Sequence, residues 1–155
     1  MRIRTFLSSV SIVASTVLVT ACSSSTADPP ATTSAGVVAK PIGPEGGTIE
    51  VGGAVVTFPK GAVAASTNIT ISVVENGVPE GYVALSKVFK CEPVGTDFAQ
   101  PVEMRMPFTD DGKGGSLFWQ SGNAPAFKNL GGRVEGNVMV ATVLHFSGGF
   151  VGRAK

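Results

Sequence analysis

The chain has 155 residues, of which 43% are hydrophobic and 15% are charged, and its basic and acidic side chains nearly balance at a formal net charge of +1. This balance lacks the basic excess that is typical of nucleic-acid-binding domains and of polybasic membrane-binding segments, so neither kind of basic surface is predicted. The length permits one small domain with one hydrophobic core, preceded by an N-terminal segment.

Residues 1–21 have the three parts of a secretory signal. Arg2 and Arg4 are positive, an apolar run continues to Val19, and small residues precede Cys22. The run is shorter than the roughly 20 residues that a transmembrane helix needs. We therefore predict a signal peptide that is cleaved on export. Its removal takes away two basic side chains and leaves ten, against eleven acidic ones.

The segment Val19-Thr20-Ala21-Cys22 resembles the bacterial lipobox, in which the cysteine is acylated and becomes the first residue of the mature chain. The resemblance implies a lipoprotein that carries palmitate-type acyl chains on Cys22 and is anchored to the membrane of the cell envelope through the lipid bilayer. The alternative is an ordinary cysteine after a plain signal-peptidase site. Ser23 occupies the position where aspartate would indicate retention in the inner membrane, so the resemblance favours the outer membrane.

Residues 22–40 are rich in Ser, Thr, Pro and Ala and contain almost no large apolar side chain. Such a segment buries too little surface to offset its ordering entropy, so we predict a flexible linker followed by a domain over residues 41–153. Cys91 is then the one cysteine of that domain. It is interpreted as a small buried apolar residue, with an intermolecular disulfide as the alternative.

Apolar residues alternate with polar ones along the domain, which indicates half-buried β-strands. Ile69 and Ile71 flank Thr70, and Val102, Met104 and Met106 are separated by charged residues. The predicted strands cover residues 48–51, 54–58, 68–74, 83–90, 102–106, 116–120, 137–143 and 145–151. About eight short strands separated by glycine-rich turns predict an all-β fold, an antiparallel two-sheet β-sandwich.

The order of several segments resembles the ZU-five domain, a β-sandwich module of ankyrins, netrin receptors and tight-junction scaffolds that also occurs in bacterial exported proteins. The segments are Gly43-Pro-Glu-Gly-Gly47, Val55-Val-Thr-Phe-Pro-Lys-Gly-Ala62, Ile69-Thr-Ile71, Cys91-Glu-Pro-Val-Gly95, Phe98-Ala-Gln-Pro-Val102 and Pro107-Phe108. The resemblance implies a non-enzymatic interaction or structural module. The spectrin and neighbouring-domain contacts of the eukaryotic members do not carry over, so the partner is an unidentified envelope protein or polymer.

One short segment, His145-Phe146-Ser147, suggests chemistry. Within the same family a death-domain adaptor cleaves itself at a His-Phe-Ser sequence, and this resemblance implies an alternative function: autoproteolysis between Phe146 and Ser147 by an N-to-O acyl shift. Ser147 would attack the Phe146 carbonyl carbon with His145 as the base. The competing interpretation is structural, with His145 or Phe146 pointing into the core of the last strand.

Other constellations favour structural roles. A single histidine cannot build a histidine-based metal cluster, and no phosphate-binding loop or nucleophile elbow occurs, so no cofactor and no metal site is predicted. Asp110 and Asp111 are interpreted as a solvated hairpin tip rather than a cation site. Phe118 and Trp119 belong to the densest aromatic cluster, and both are expected to be buried. An exposed Trp119 would instead indicate a sugar-binding platform.

Overall fold

The structure is a computed structural model that describes residues 32–34, 36–121 and 126–155, and these residues form thirteen strands without a helix. The strands are β1 (Thr32–Ser34), β2 (Val37–Ile42), β3 (Gly47–Val51), β4 (Ala54–Phe58), β5 (Thr67–Val74), β6 (Tyr82–Ala84), β7 (Val88–Glu92), β8 (Asp97–Pro107), β9 (Ser116–Gln120), β10 (Phe127–Gly131), β11 (Arg133–Glu135), β12 (Val138–His145) and β13 (Gly148–Ala154). No helix in this part of the chain is long and apolar enough to cross a membrane. The predicted signal peptide, Cys22 and most of the predicted linker lie outside the described residues.

Two antiparallel sheets build the domain, which confirms the predicted fold class. The eight-stranded sheet has the order β1-β2-β5-β7-β13-β9-β10, and β6 pairs with β13 beside this path. The five-stranded sheet has the order β11-β12-β8-β4-β3. Strand β13 therefore lies in the middle of the larger sheet. Among the described strands, the chain passes from one sheet to the other six times, and two of these connections, β7 to β8 and β12 to β13, are joined by backbone hydrogen bonds.

The predicted alternation positions the core between the sheets. Ile69 and Ile71 of β5 are fully buried, and so are Val102, Met104 and Met106 of β8, while the residues between them are more exposed. A pleated strand sends successive side chains to opposite faces, so each strand contributes every second residue to the shared core. The predicted ranges of β4 and β9 coincide with the observed ones.

The sheet begins before the predicted domain start at residue 41. Strand β2 pairs with β5, and Val38 and Ile42 of β2 are buried in the core. Lys40 and Pro41 interrupt the short apolar alternation of β2. The sequence therefore contains no strand signal there, and residues 37–40 were assigned to the polar linker that precedes them. Strand β1 contains no apolar residue and is held by its pairing with β2.

The later strands differ from prediction at their ends. The predicted strand 83–90 is two strands, β6 and β7, because the residues between them pack against the end of β8, where Thr109 donates its N–H to the Leu85 carbonyl. Strands β10 and β11 are exposed edge strands and lack the alternation on which the prediction depended. The predicted last strand 145–151 is divided: His145 ends β12, and β13 begins at Gly148.

A second hydrophobic cluster lies on the outer face of the eight-stranded sheet. Phe118 and Phe150 stack there with ring centroids 5.7 Å apart, and Tyr82 packs edge-on against both. Trp119, the next residue in β9, points inward and is 1% exposed. Both aromatic residues are thus buried as expected, and Trp119 does not offer the exposed ring that a sugar-binding platform requires.

Candidate functional site

The His145-Phe146-Ser147 segment forms the sheet-crossing corner between β12 and β13. His145 is the last residue of β12 in the five-stranded sheet, and Gly148 is the first residue of β13 in the eight-stranded sheet. The peptide bond between Phe146 and Ser147 therefore lies where the chain must change direction between two layers. A connection of this kind is fixed from both sides by the strands that it joins.

Four hydrogen bonds immobilise the backbone of this corner. The N–H of Phe146 donates to the Thr96 carbonyl at 2.9 Å, and the carbonyl of Phe146 accepts from the Gly95 N–H at 2.9 Å. The Ser147 carbonyl accepts from the Cys91 N–H at 2.8 Å, and the His145 carbonyl accepts from an indole N–H at 3.2 Å. Every carbonyl of the three residues has a partner on another strand or connection, so the peptide that would be cleaved has a defined geometry.

The indole N–H belongs to Trp119, and a glycine makes its position possible. A Cβ atom built on Gly149 would lie 2.2 Å from Cε3 of the Trp119 ring, far inside van der Waals contact. Glycine at this position of β13 lets the indole lie across the neighbouring strand. The indole N–H can then reach the carbonyl of His145.

The Phe146 side chain anchors the corner in the main core. Its ring makes edge-to-face contacts with Phe98 and Phe58, at centroid distances of 4.7 and 5.7 Å, and it is fully buried. Edge-to-face pairs add to the free energy gained from burial, so this aromatic trio holds Phe146 in place. The structural interpretation, in which Phe146 is a core residue, agrees with this packing.

His145 reaches from β12 toward the eight-stranded sheet. Its Nε2 atom lies 3.1 Å from the carbonyl oxygen of Gln120 at the end of β9. A carbonyl oxygen only accepts hydrogen bonds, so Nε2 carries the hydrogen of the neutral ring and Nδ1 keeps the lone pair. The contact thus selects the tautomer in which Nδ1 is the basic atom. Asp97 is paired with His145 in strand register, but no ion pair joins His145 to an acidic residue within the described ranges.

Ser147 is 1% exposed and is the one buried polar or charged residue of the part that the structure describes. Burial of an unpaired hydroxyl is costly, yet no buried side-chain oxygen or nitrogen in the described residues lacks a hydrogen-bond partner. Ser147 stands two residues after the only histidine of the chain, and its burial is compatible with a self-cleaving peptide and with a purely structural corner.

Cys91 lies beside this corner. It is fully buried in β7, its N–H holds the Ser147 carbonyl, and burial raises the pKa of its thiol to about 12. At neutral pH the thiol is therefore protonated and a poor nucleophile, which agrees with the interpretation as a small apolar core residue.

The two aspartates of the 110–115 loop serve the local structure. Asp110 accepts the Gly112 N–H at 2.9 Å, and Asp111 accepts the Lys113 N–H at 3.2 Å. The guanidinium of Arg153 binds Asp111 with two hydrogen bonds of 2.6 and 2.8 Å and lowers the pKa of that carboxyl. The ion pair joins the loop to the end of β13. No group of three metal-ligating side chains occurs in the described ranges.

An open cleft of about 560 Å³ lies at the opposite end of the sandwich. Leu85, Phe89 and Phe108 give it an apolar floor, and the ion pair between Glu75 and Lys87, 2.7 Å long, lies at its rim. The volume is in the range of ligand-binding pockets. Neither a histidine nor a cysteine is among its lining residues.

A family model for the ZU5 domain matches residues 38–118, just over half of the chain. The chain belongs to the ZU5 family. The match begins in β2 and ends in β9, so it includes the hairpin of β3 and β4 and the whole connection from β7 to β8. This confirms the resemblance to the ZU-five domain and the assignment as a β-sandwich interaction module. None of the curated proteins matches the chain.

Sequence reasoning found His145, Phe146 and Ser147 but missed the residues that hold them. Gly95, Thr96 and Gln120 act through backbone atoms, which carry no side-chain signature. Trp119 was singled out only as an aromatic residue. The segment that contains Gly95 was recognised as part of the family resemblance, but its contact with residue 146 spans about fifty positions and could not be read from the sequence.

Proposed function

We propose that this protein is a lipid-anchored ZU5 module of the bacterial cell envelope, held to the bilayer by acyl chains on Cys22. The observation that supports the proposal is the order of its parts: a segment with the pattern of a secretory signal and a lipobox-like cysteine precede a ZU5 sandwich within one chain. The module is non-enzymatic and displays its surface to another envelope protein or polymer. Its near balance of charge argues against nucleic acid as that partner.

Metabolic labelling with a palmitate analogue tests the anchor. The wild-type chain is expected to take up label, Cys22→Ala is expected to lose it, and the matched variant Cys91→Ala, which removes the only other cysteine, is expected to keep it. Label that persists in Cys22→Ala contradicts the proposal.

A second variant tests the outer membrane as the destination. Ser23→Asp introduces the residue that favours inner-membrane retention, so we expect it to move the protein from the outer-membrane to the inner-membrane fraction of a density gradient. A wild-type protein that already sediments with the inner membrane contradicts the outer-membrane assignment and leaves the lipid anchor itself standing.

A second candidate function is self-cleavage between Phe146 and Ser147, and the immobilised corner supports it. In this reaction the Ser147 hydroxyl attacks the Phe146 carbonyl carbon while His145 Nδ1 takes its proton. The carbon–nitrogen bond then breaks as the proton passes to the Ser147 nitrogen, which leaves an ester. Water hydrolyses the ester to the Phe146 carboxylate and a free Ser147 hydroxyl. The two products together contain one water more than the intact chain.

The central position of β13 predicts what happens to the products. Strand β13 pairs with β6, β7 and β9, and its residues from Gly148 to Gly152 are buried. These hydrogen bonds and contacts do not depend on the covalent bond at residue 146. The released segment would remain in the sheet, so native size or gel mobility would hardly change and a denaturing mass measurement is required.

Intact mass under denaturing conditions tests this second candidate. We expect the wild-type chain to give two masses that correspond to a break after Phe146, Ser147→Ala to give one, and the exposed-serine control Ser66→Ala to behave as wild type. A single uncut mass for the wild-type chain after long incubation would eliminate self-cleavage and leave the anchored module as the function.

A further inference from the structure

We propose that the turn from Pro93 to Thr96 supplies the oxyanion donor for cleavage at Phe146, with the Gly95 N–H as the donor and Thr96 as the positioning residue. The inference rests on the second candidate function above. It assigns a role to a connection that shares no strand with the cleaved peptide and lies about fifty residues away from it in the chain.

The geometry of the Gly95 N–H fits this role. Attack by Ser147 would turn the Phe146 carbonyl into a tetrahedral centre, and its oxygen would take up negative charge. The Gly95 N–H already points at that oxygen from 2.9 Å. Preorganised donors about 2.7 to 3.1 Å from the developing oxyanion stabilise such intermediates most in water-poor sites. Phe146 and Ser147 are both almost completely buried, so the site meets this condition.

Two adjacent residues of the turn form hydrogen bonds with the backbone of Phe146. Gly95 binds the Phe146 oxygen, and the carbonyl of Thr96 accepts the Phe146 N–H at 2.9 Å. Attack by the following serine requires the carbonyl to keep its direction while its carbon changes geometry. Two hydrogen bonds to neighbouring residues of one turn resist rotation of the backbone at Phe146, whereas a single hydrogen bond would permit it.

The Thr96 side chain closes the turn. Its hydroxyl donates to the Pro93 carbonyl at 2.8 Å, and its N–H donates to the same oxygen at 3.3 Å. Gly95 lies between Pro93 and Thr96 and has a φ of 80°, a backbone conformation that residues with a side chain rarely adopt. The hydroxyl bond holds this conformation and thereby directs the Gly95 N–H. Thr96 touches no reacting atom, so it acts through Gly95.

Cleavage kinetics of Thr96→Val and Thr96→Ser test the proposal. Valine keeps the shape of threonine and removes the hydroxyl, and serine restores it. Loss of an oxyanion donor typically lowers rates about 100- to 1,000-fold. Thr96→Val retains the donor but loosens it, so we expect cleavage about tenfold slower than wild type, with Thr96→Ser close to wild type. The full chain is made by cell-free synthesis, and samples are denatured at intervals for intact-mass analysis.

Two readouts separate positioning from general destabilisation. The pH dependence of the rate is expected to keep its midpoint in Thr96→Val, because the His145 contact with Gln120 is untouched. Thr142→Val makes the same change on an exposed threonine of β12 and is expected to cleave at the wild-type rate. Unfolding of each Thr96 variant is measured in a Ser147→Ala background, which cannot cleave.

Three results would overturn the inference. Cleavage of Thr96→Val at the wild-type rate refutes the role of the hydroxyl, and so does cleavage of Thr96→Ser as slow as that of Thr96→Val. Self-cleavage itself stands in both cases. A wild-type chain that is never cut refutes self-cleavage and, with it, the role of Gly95 and Thr96. The single uncut mass of the wild-type chain distinguishes this result from the other two, in which the wild-type chain is cut.

Discussion

The Phe146 carbonyl accepts a hydrogen bond from the Gly95 N–H at 2.9 Å, and this bond joins two of the connections that carry the chain between the sheets. One connection runs from β7 to β8, the other from β12 to β13. The side-by-side arrangement closes one end of the sandwich over the aromatic trio of Phe58, Phe98 and Phe146. The same corner holds the peptide that would be cleaved.

Removal of the Phe146 ring is expected to destabilise the domain strongly. The ring is fully buried, and Phe→Ala changes in cores typically cost about 3 to 5 kcal/mol. The matched control is the preceding apolar residue, Leu144, which is 60% exposed, and Leu144→Ala is expected to stay within about 0.5 kcal/mol of wild type. Urea unfolding of both variants in a Ser147→Ala background measures the difference. Equal costs would contradict the packing of this corner.

Cys91 predicts a loss of stability at high pH. Burial raises its pKa from about 9 to about 12, so the folded thiol keeps its proton where the unfolded thiol ionises. The unfolded chain then binds fewer protons, and the stabilising contribution is complete below pH 9 and lost as the pH rises toward 12. We expect Cys91→Ala to show a flatter decline of the unfolding free energy between these pH values. Parallel declines would indicate that the thiol is accessible when folded.

The bond between Asp111 and Arg153 predicts an acidic titration. The hydrogen bonds from Arg153 are the largest cause of the lowered pKa of Asp111. The pair therefore contributes stability above the ordinary carboxyl pKa, and the contribution is lost as the pH falls through the lowered value. Carboxyl ¹³C shifts followed against pH should give Asp111 a higher pKa in Arg153→Gln. Lys87→Gln, which breaks the separate ion pair with Glu75, should leave it unchanged.

The single tryptophan reports on the core. Trp119 is 1% exposed and packs against Gly149, so its fluorescence is expected to be blue-shifted and protected from iodide quenching until the chain unfolds. Quenching of the native protein as strong as that of the urea-unfolded chain would contradict the buried position. It would also restore the possibility of an aromatic sugar-binding surface.

The sequence predicts those strands in which one face is buried in the core and the other faces solvent. Strands β4 and β9 match their predicted ranges, and β5 and β8 show the expected alternation of Ile69, Ile71, Met104 and Met106. Strands β1, β10 and β11 lie at sheet edges. The sequence of β1 contains no apolar residue, and β10 and β11 have no buried residue, so no apolar pattern marks these strands. Edge strands form because a neighbour offers hydrogen bonds, and a one-dimensional pattern does not contain that neighbour.

The side chains of the candidate site, His145 and Ser147, were predictable from the sequence, but the main-chain groups that hold them were not. His145 and Ser147 stand close together in sequence, in the order that the family resemblance marks. The prediction nevertheless placed them in one strand, whereas the chain leaves β12 after His145 and enters the other sheet. The bonds from Gly95, Thr96 and Gln120 come from main-chain atoms of distant segments, and only the three-dimensional packing brings them to the corner.

The intact mass of the full chain purified from the membrane fraction tests the central claim, a lipid-anchored ZU5 module, most directly. A lipid-anchored protein is expected to have its mature N-terminus at Cys22, and every mature molecule is expected to carry the added mass of acyl lipid. A chain that begins at another residue, or one whose Cys22 carries no acyl group, would contradict the account.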